Sequence, residues 1–285
     1  MPEQTVTPEL RRWIVDQAEA GVRPEDLMAS LRRAGWDEAV AADAMESALR
    51  ERLDEVDAQR RADSGPRVPV PEPDLAMSPP LVIADGHPVH VVAALQRPRV
   101  VVLGGLLTDD ECDALVELAR PRLRRSETVD TLTGGSEVNS ARTSEGMFFG
   151  RAETALVDRI ERRIAALVRW PLERGEGLQV LRYRPGAEYR PHHDYFDPDH
   201  PGTAAVLRRR GQRVGTVVMY LNAPAGGGAT TFPEVGLEVA PVKGNAVFFS
   251  YDRPHPSTRT LHGGAPVLAG EKWVATKWLR EGRFD

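Results

Sequence analysis

The sequence predicts an α+β protein: a small all-helical module in front, then supporting helices and a jelly roll (double-stranded β-helix). Three observations predict it. Apolar residues recur at helical spacing through the first 60 residues, prolines crowd the stretch that follows, and beyond Trp170 the pattern becomes that of short strands between Gly- and Pro-rich turns. A chain of 285 residues is long enough for one sizeable core plus a small appendage. With 41% apolar and 28% charged residues it has the composition of a globular protein, which excludes a disordered or fibrous chain.

The helical module is expected over residues 1–60. Thr7 before Pro8 reads as an N-cap and first-turn proline, followed by Leu10, Trp13, Ile14 and Ala18 until Gly21. A second helix opens at Pro24 with Leu27, Met28 and Leu31 on one face and closes at Gly35, and a third carries Val40, Ala44, Met45 and Ala48. This three-helix pattern is similar to ubiquitin-associated-type bundles, which implies a module that either binds a protein partner or simply flanks the larger domain. Residues 61–90 are expected to be a semi-extended linker, because Pro66, Pro69, Pro71, Pro73, Pro79 and Pro80 exclude a helix or a central strand.

The second, larger domain is expected over residues 91–285. A buried-strand run from Val100 to Leu103 leads into Thr108-Asp-Asp-Glu111, a capping box that starts a helix with Leu115, Leu118 and Ala119 on one face. A second helix, from about Ala152 to Val168, carries the stripe Leu156, Ile160, Ile164 and Leu167. The segments LQVLRY, GTVVMYLN, NAVFFS and KWVATKW then read as strands with no helical pattern between them, which favours an antiparallel sandwich or barrel over βαβ units. The stretch VVVLGGLLTDDE lacks the G-x-G-x-x-G spacing of a dinucleotide site, so Gly104 and Gly105 are turn residues.

A net charge of −5 argues against a nucleic-acid partner, and Leu207-Arg208-Arg209-Arg210 reads as a solvated loop. No apolar run is long enough to span a membrane and the N-terminus lacks a secretory core, so a cytoplasmic protein with no membrane association is expected. The single cysteine, Cys112, lies in the first capped helix and reads as a small buried residue.

The chemistry is concentrated in YRPGAEYRPHHDYF. His192 and Asp194 are two apart, so on a strand both side chains point to one face, with His193 on the other. H-x-D alone is common. A third ligand is available at His262, with His255 as a competitor in a Pro-flanked turn, and two imidazoles with one carboxylate form the facial triad of non-haem iron(II). In GEKWVATKWLRE, alternation places Lys272, Val274, Thr276 and Trp278 on one face and Trp273, Ala275, Lys277 and Leu279 on the other. A lysine inside a barrel requires an anion, and the metal motif favours Lys272 over Lys277 as that lysine.

These residues resemble the Fe(II)/2-oxoglutarate dioxygenases of the prolyl 4-hydroxylase type. The likeness runs from about Arg97 to Arg280 through TDDECDALVELA, ARTSEGMFF, LRYRPGAEYRPHHDYFD, GQRVGTVVMYLN, GGGATTFPEVG, GNAVFFS and HGGAPVLAGEKWVATKW. It implies that His192, Asp194 and His262 bind iron and that Lys272 pairs with the distal carboxylate of 2-oxoglutarate, with Tyr183 and Thr230 beside the co-substrate. It also implies that Arg142 and Ser144 belong to a segment covering a peptide substrate and that Trp278 offers a platform for a proline ring. The family commonly has an acidic residue at the place of Ala229. The activity so implied is hydroxylation of a prolyl residue in a peptide or protein by O₂, with decarboxylation of 2-oxoglutarate to succinate and ascorbate as a rescuing reductant. Two alternatives stand beside it: an oxygenase acting on another residue or a free small molecule, and a non-catalytic binding or sensing protein on the same fold. A zinc hydrolase would require H-E-x-x-H or a similar motif, which is absent.

Overall fold

Thr7 caps the first helix as its position predicts, its Oγ1 accepting from the Leu10 N–H at 3.3 Å, with Pro8 at the first helical position. This helix, α1 (Pro8–Glu19), is followed by α2 (Pro24–Arg33) and α3 (Glu38–Ser64). The computed structural model describes residues 4–64, 67–125, 128–129, 136–137, 143–198 and 200–284. The chain divides into two units, Met1–Gly65 and Pro66–Asp285. The core of the first is Ile14, Leu27 and Leu31 closed by Ala41, Ala44, Met45 and Ala48. The alanines recur at helical spacing, so α3 can approach its neighbours closely. Trp13 was expected on the core face but is 38% exposed, and Ala41 rather than Val40 is buried, a rotation of about one position that apolar periodicity alone does not resolve. Among the described residues no helix is long and apolar enough to cross a membrane.

The second unit begins earlier than the sequence predicts. Within the expected linker, residues 81–90, the chain forms β1 (Leu81–Ala84) and the first four residues of β2 (His87–Leu95), which pair antiparallel. Pro88 is tolerated because pairing of β2 with β3 (Arg99–Gly104) begins only at His90, so its missing N–H breaks no rung on that side. Even the proline-rich stretch ahead of β1 is fixed: Val68 N–H donates to Asp252 O, Glu72 N–H donates to Val168 O, Glu72 pairs with Arg99, and Pro71 and Pro73 are buried.

Three helices follow in this unit. The capping box forms as predicted, with Thr108 and Glu111 bonding each other's backbone at the head of α4 (Asp109–Ala119). Thr154 caps α5 (Ala155–Leu167), and the run expected to be a solvated loop is instead the helix α6 (Ala204–Arg210), with the Arg210 guanidinium 4.0 Å from the Phe284 ring. Arg208 and Arg209 remain exposed.

The remaining strands are β4 (Arg124–Arg125), β5 (Thr128–Val129), β6 (Ser136–Glu137), β7 (Glu145–Phe149), β8 (Leu178–Tyr183), β9 (Tyr189–His192) and β10 (Arg213–Tyr220). They continue with β11 (Gly226–Gly227), β12 (Thr230–Phe232), β13 (Leu237–Val239), β14 (Ala246–Ser250), β15 (His262–Gly264), β16 (Val267–Ala269) and β17 (Lys272–Arg280). A nine-stranded sheet runs β1-β2-β3-β14-β10-β17-β8-β7-β4, and a four-stranded sheet runs β13-β12-β15-β9. Among the described residues, every strand pairing within these two sheets is antiparallel.

Period-two alternation gives the large sheet two buried faces. On one, Val101, Leu103, Val180, Val217, Phe248 and Ala275 pack with Cys112 and Leu115 of α4 and Ile160 and Ile164 of α5. On the other, Val100, Leu181, Tyr220, Val247, Phe249 and Val274 meet Phe232 and Val239 of the smaller sheet. Buried ion pairs tie the helices in: Arg163 grips Glu111 through two contacts of 2.6 and 2.9 Å, and Lys277 on β17 pairs with Glu161 of α5. Lys277 therefore serves the helical face, and Cys112 is fully buried, its thiol pushed by burial up to about 11.

Candidate active site

The site lies between the two sheets. His192 is the last residue of β9 and His262 the first of β15, and the two are direct cross-strand partners with ring centroids 4.4 Å apart. Asp194 follows in the bend just past β9, so the ligand pair straddles the strand end instead of lying within a strand as alternation predicted. His193 between them stacks on Tyr195 at 4.7 Å, away from the pair. Asp194 Oδ1 is 3.5 Å from His192 Nε2, and its Oδ2 is 3.5 Å from His262 Nε2. One ligand atom from each of the three residues lies within 4.8 Å of the others, the only such three-residue cluster among the described residues.

The protonation states suit a cation. Each imidazole places Nδ1 2.9 Å from a carbonyl, Arg190 O for His192 and Thr260 O for His262. A carbonyl can only accept, so Nδ1 carries a hydrogen and Nε2 is the ring nitrogen turned to Asp194. Burial pushes the His262 imidazole down to about 4, against the pull of Asp194, so it is neutral at pH 7. Burial raises the Asp194 carboxyl, but the imidazoles of His262 and His192 and the guanidinium of Arg213 outweigh it, leaving the group well below the ordinary carboxylate range. Two imidazole nitrogens and one carboxylate, all on one side of a space they share, fit a ferrous ion with positions left open.

Lys272, Val274, Thr276 and Trp278 line the same cavity as the triad, in the alternation the sequence predicts for β17. Lys272 is 4% exposed and no carboxylate pairs with it among the described residues; the rings of Tyr183 and Tyr220 lie 5.7 Å from its ammonium. Burial alone pushes it down to about 8. Tyr183 is its cross-strand partner, and both line the cavity. Thr230 also lines it, and because Tyr220 Oη donates to Thr230 Oγ1 at 2.8 Å, the threonine's own proton is free to donate inward. A buried ammonium without a counter-charge, flanked by a hydroxyl, fits the distal carboxylate of a 2-oxo diacid.

Trp278 is 8% exposed, lies 6.4 Å from Phe148 and has the Arg213 guanidinium 4.0 Å over its ring. Ser144 is buried immediately ahead of β7 and does not line this cavity, and Arg142 lies outside the described residues. His255 is exposed and caps a short turn through Nδ1, apart from the metal cluster, which leaves His262 as the distal imidazole.

Comparison with known proteins decides the family. The model of the 2OG-Fe(II) oxygenase superfamily matches residues 178–280. Prolyl 4-hydroxylase 1 of Arabidopsis thaliana is 43% identical over 201 residues, covering 65% of this chain and 69% of that protein. The chain belongs to the prolyl 4-hydroxylase family of 2OG-Fe(II) oxygenases. Prolyl 4-hydroxylase 5 of the same plant is 41% identical over 209 residues, covering 66% and 70% of the two chains. Among solved structures, the viral collagen prolyl hydroxylase of Paramecium Bursaria Chlorella virus-1 in its 2-oxoglutarate complex is 30% identical, with a TM-score of 0.49 over 63% of this chain and 94% of that one.

The prolyl 4-hydroxylase site of this chain also contains residues that sequence reasoning passed over. Tyr189 stacks on His192 with ring centroids 3.7 Å apart. The two are three residues apart and would face opposite ways on a regular strand. A register shift opposite Gly263 brings them to one side, because His262 pairs with His192 while Gly264 pairs with Tyr189. Gly263 permits that approach, since a Cβ there would lie 2.9 Å from Tyr189 O. Thr216 of β10 and Tyr251 just past β14 are buried beside Asp194, and no motif marks either one.

Proposed function

We propose that the protein hydroxylates a prolyl residue of a peptide or protein in an Fe(II)-, 2-oxoglutarate- and O₂-dependent reaction, on a jelly roll built from the two facing sheets. The observation that carries this reading is the unpaired buried ammonium of Lys272 in the cavity lined by His192, Asp194 and His262. A metal triad alone is compatible with many reactions, whereas a triad sharing its cavity with an anion receptor calls for a charged co-substrate. The relatives named prolyl 4-hydroxylase support the substrate class.

In this reading His192 and His262 present Nε2, and Asp194 its carboxylate, to the iron, while Lys272 receives the distal carboxylate of 2-oxoglutarate and Thr230 donates to it. Bound iron with 2-oxoglutarate and O₂ supplies an oxidant that places one oxygen atom on substrate carbon and one in succinate, with loss of CO₂. Tyr183, Val274 and Leu181 line the co-substrate end of the cavity, excluding water from the ion pair. Trp278 would offer the proline ring an apolar wall, and ascorbate would serve as the reductant that keeps the bound iron ferrous.

Incubating the protein with Fe(II), ascorbate, 2-oxoglutarate and a proline-rich peptide under air tests the assignment. The expected result is one added oxygen on proline, with succinate formed in step. Succinate formed with a different substrate, and never with a prolyl peptide, would remove the prolyl assignment.

A further inference from the structure

Beside Asp194, and outside the lining of the open cavity, two hydroxyl groups are buried one after the other. Thr216 Oγ1 is 2.8 Å from Asp194 Oδ2 and 3.0 Å from Tyr251 Oη. Thr216 has no exposed surface and Tyr251 only 2%. They sit diagonally across the β10–β14 pair: Gly215 faces Ser250, and Tyr251 N–H donates to Val214 O at 3.1 Å. The tyrosine ring is fixed by Tyr195, edge-on at 6.1 Å, and by Phe249 at 6.2 Å.

The chemistry of the three groups gives the chain of bonds one direction. An ionised carboxylate only accepts, so Thr216 must spend its single proton on Asp194. Its oxygen is then an acceptor, and the donor to it is the Tyr251 phenol. The tyrosine stays protonated, because burial and the neighbouring Asp194 charge push its ionisation well above the ordinary phenol range. A hydroxyl that has accepted a hydrogen bond is a better donor in its turn. Arg213 adds a weaker hold on the same residue, its Nη1 3.4 Å from the Asp194 carbonyl.

We infer that Tyr251 and Thr216 form a directed hydroxyl relay that orients the Asp194 carboxylate for metal binding, both acting as positioning residues. The relay occupies one lone pair of Oδ2 and fixes the carboxylate plane against the two Nε2 atoms, with Oδ1 3.5 Å from His192 Nε2. Without it the carboxylate can rotate and must be reordered when the ion binds. This inference rests on the proposed iron site.

Metal affinity reads the relay without turnover. Mn(II) titrated into the full-length protein by calorimetry, with Co(II) visible absorption as a second readout, would compare wild type with Thr216→Val, Thr216→Ser, Tyr251→Phe and the double variant Thr216→Val/Tyr251→Phe. Removing a group that orients a metal ligand typically weakens binding about 10- to 100-fold. Thr216→Val is expected in that range, with a shifted Co(II) spectrum, and Thr216→Ser is expected to restore affinity to about twofold of wild type. Tyr251→Phe is expected to weaken binding a few-fold on its own and to have no further effect in the Thr216→Val background, since it acts only through that hydroxyl. An unchanged dissociation constant for Thr216→Val, or additive losses in the double variant, would overturn the relay. Should Thr216→Val fail to fold, Tyr251→Phe carries the test, and an unchanged affinity there overturns it equally. Failure of the wild-type protein to bind either ion would instead bring down the metal site itself.

Discussion

Replacing Lys272 by methionine separates the cost of a buried charge from its use. Moving the ammonium from 10.5 down to about 8 corresponds to about 3 kcal/mol of disfavoured charge, at roughly 1.4 kcal/mol per tenfold change in proton affinity. The folded protein releases this proton more readily than the unfolded chain does. The cost is therefore present in full below pH 8 and is relieved as pH rises from about 8 to 10.5. Methionine keeps the length of the side chain and omits the charge, so Lys272→Met in the absence of ligands should be more stable than wild type by about 1–3 kcal/mol at pH 7, with the gain shrinking toward pH 10. The same change removes the partner of the 2-oxoglutarate carboxylate, a loss of about 3–5 kcal/mol, equivalent to more than a hundredfold in affinity. Denaturant unfolding at both pH values, with and without Mn(II) plus 2-oxoglutarate, reads both effects. Wild type should gain stability from the co-substrate and the variant should not. A variant that is less stable than wild type at pH 7, or one that 2-oxoglutarate still stabilises, would refute the reasoning.

The charged form of Lys272 is the one that binds, so the affinity of the metal-loaded protein for 2-oxoglutarate should fall about fivefold between pH 8 and pH 9; a flat calorimetric profile over that interval contradicts it. Burial alone would raise the Glu111 carboxyl, but Arg163, the Thr108 N–H and Arg159 hold it at about 2 instead. Its stabilisation is thus present above pH 4.5 and lost as pH falls toward 2, and Glu111→Gln should cost about 3 kcal/mol at pH 7 and flatten the acid limb of the unfolding curve. Gly215→Ala would bring a Cβ within 2.5 Å of Pro71 Cγ; a loss of about 1–3 kcal/mol in thermal unfolding is expected if the proline-rich segment is packed as described, and none if it swings free.

The parts of the site that were legible in the sequence are those where local period and chemistry coincide. Alternation along β17 assigned Lys272 and Trp278 to one face and Lys277 to the other, and the structure reproduces both faces, because all nine residues of a central strand are buried and neither side can slip. The two helices ahead of the strands were legible, the first through the capping box of Thr108 with Glu111 and the second through the stripe Leu156, Ile160, Ile164 and Leu167. Strands β1 and β2 were not, since six prolines nearby mask a short hairpin, and the pairing of β2 with β3 starts only beyond Pro88. Nor was α6, where a run of arginines hides a helix with few apolar anchors. Tyr189 escaped because a register irregularity brings residues three apart to one side, and Thr216 and Tyr251 because their roles depend on a pairing across β10 and β14 that no local pattern encodes.

Diffraction from the protein loaded anaerobically with Mn(II) and 2-oxoglutarate, with anomalous scattering to place the ion, tests the central claim most directly. The account predicts one ion bonded to Nε2 of His192, a carboxylate oxygen of Asp194 and Nε2 of His262, with the distal carboxylate of the co-substrate on Nζ of Lys272. An ion held by other residues, or a co-substrate whose distal carboxylate leaves Lys272 without a partner, would contradict it.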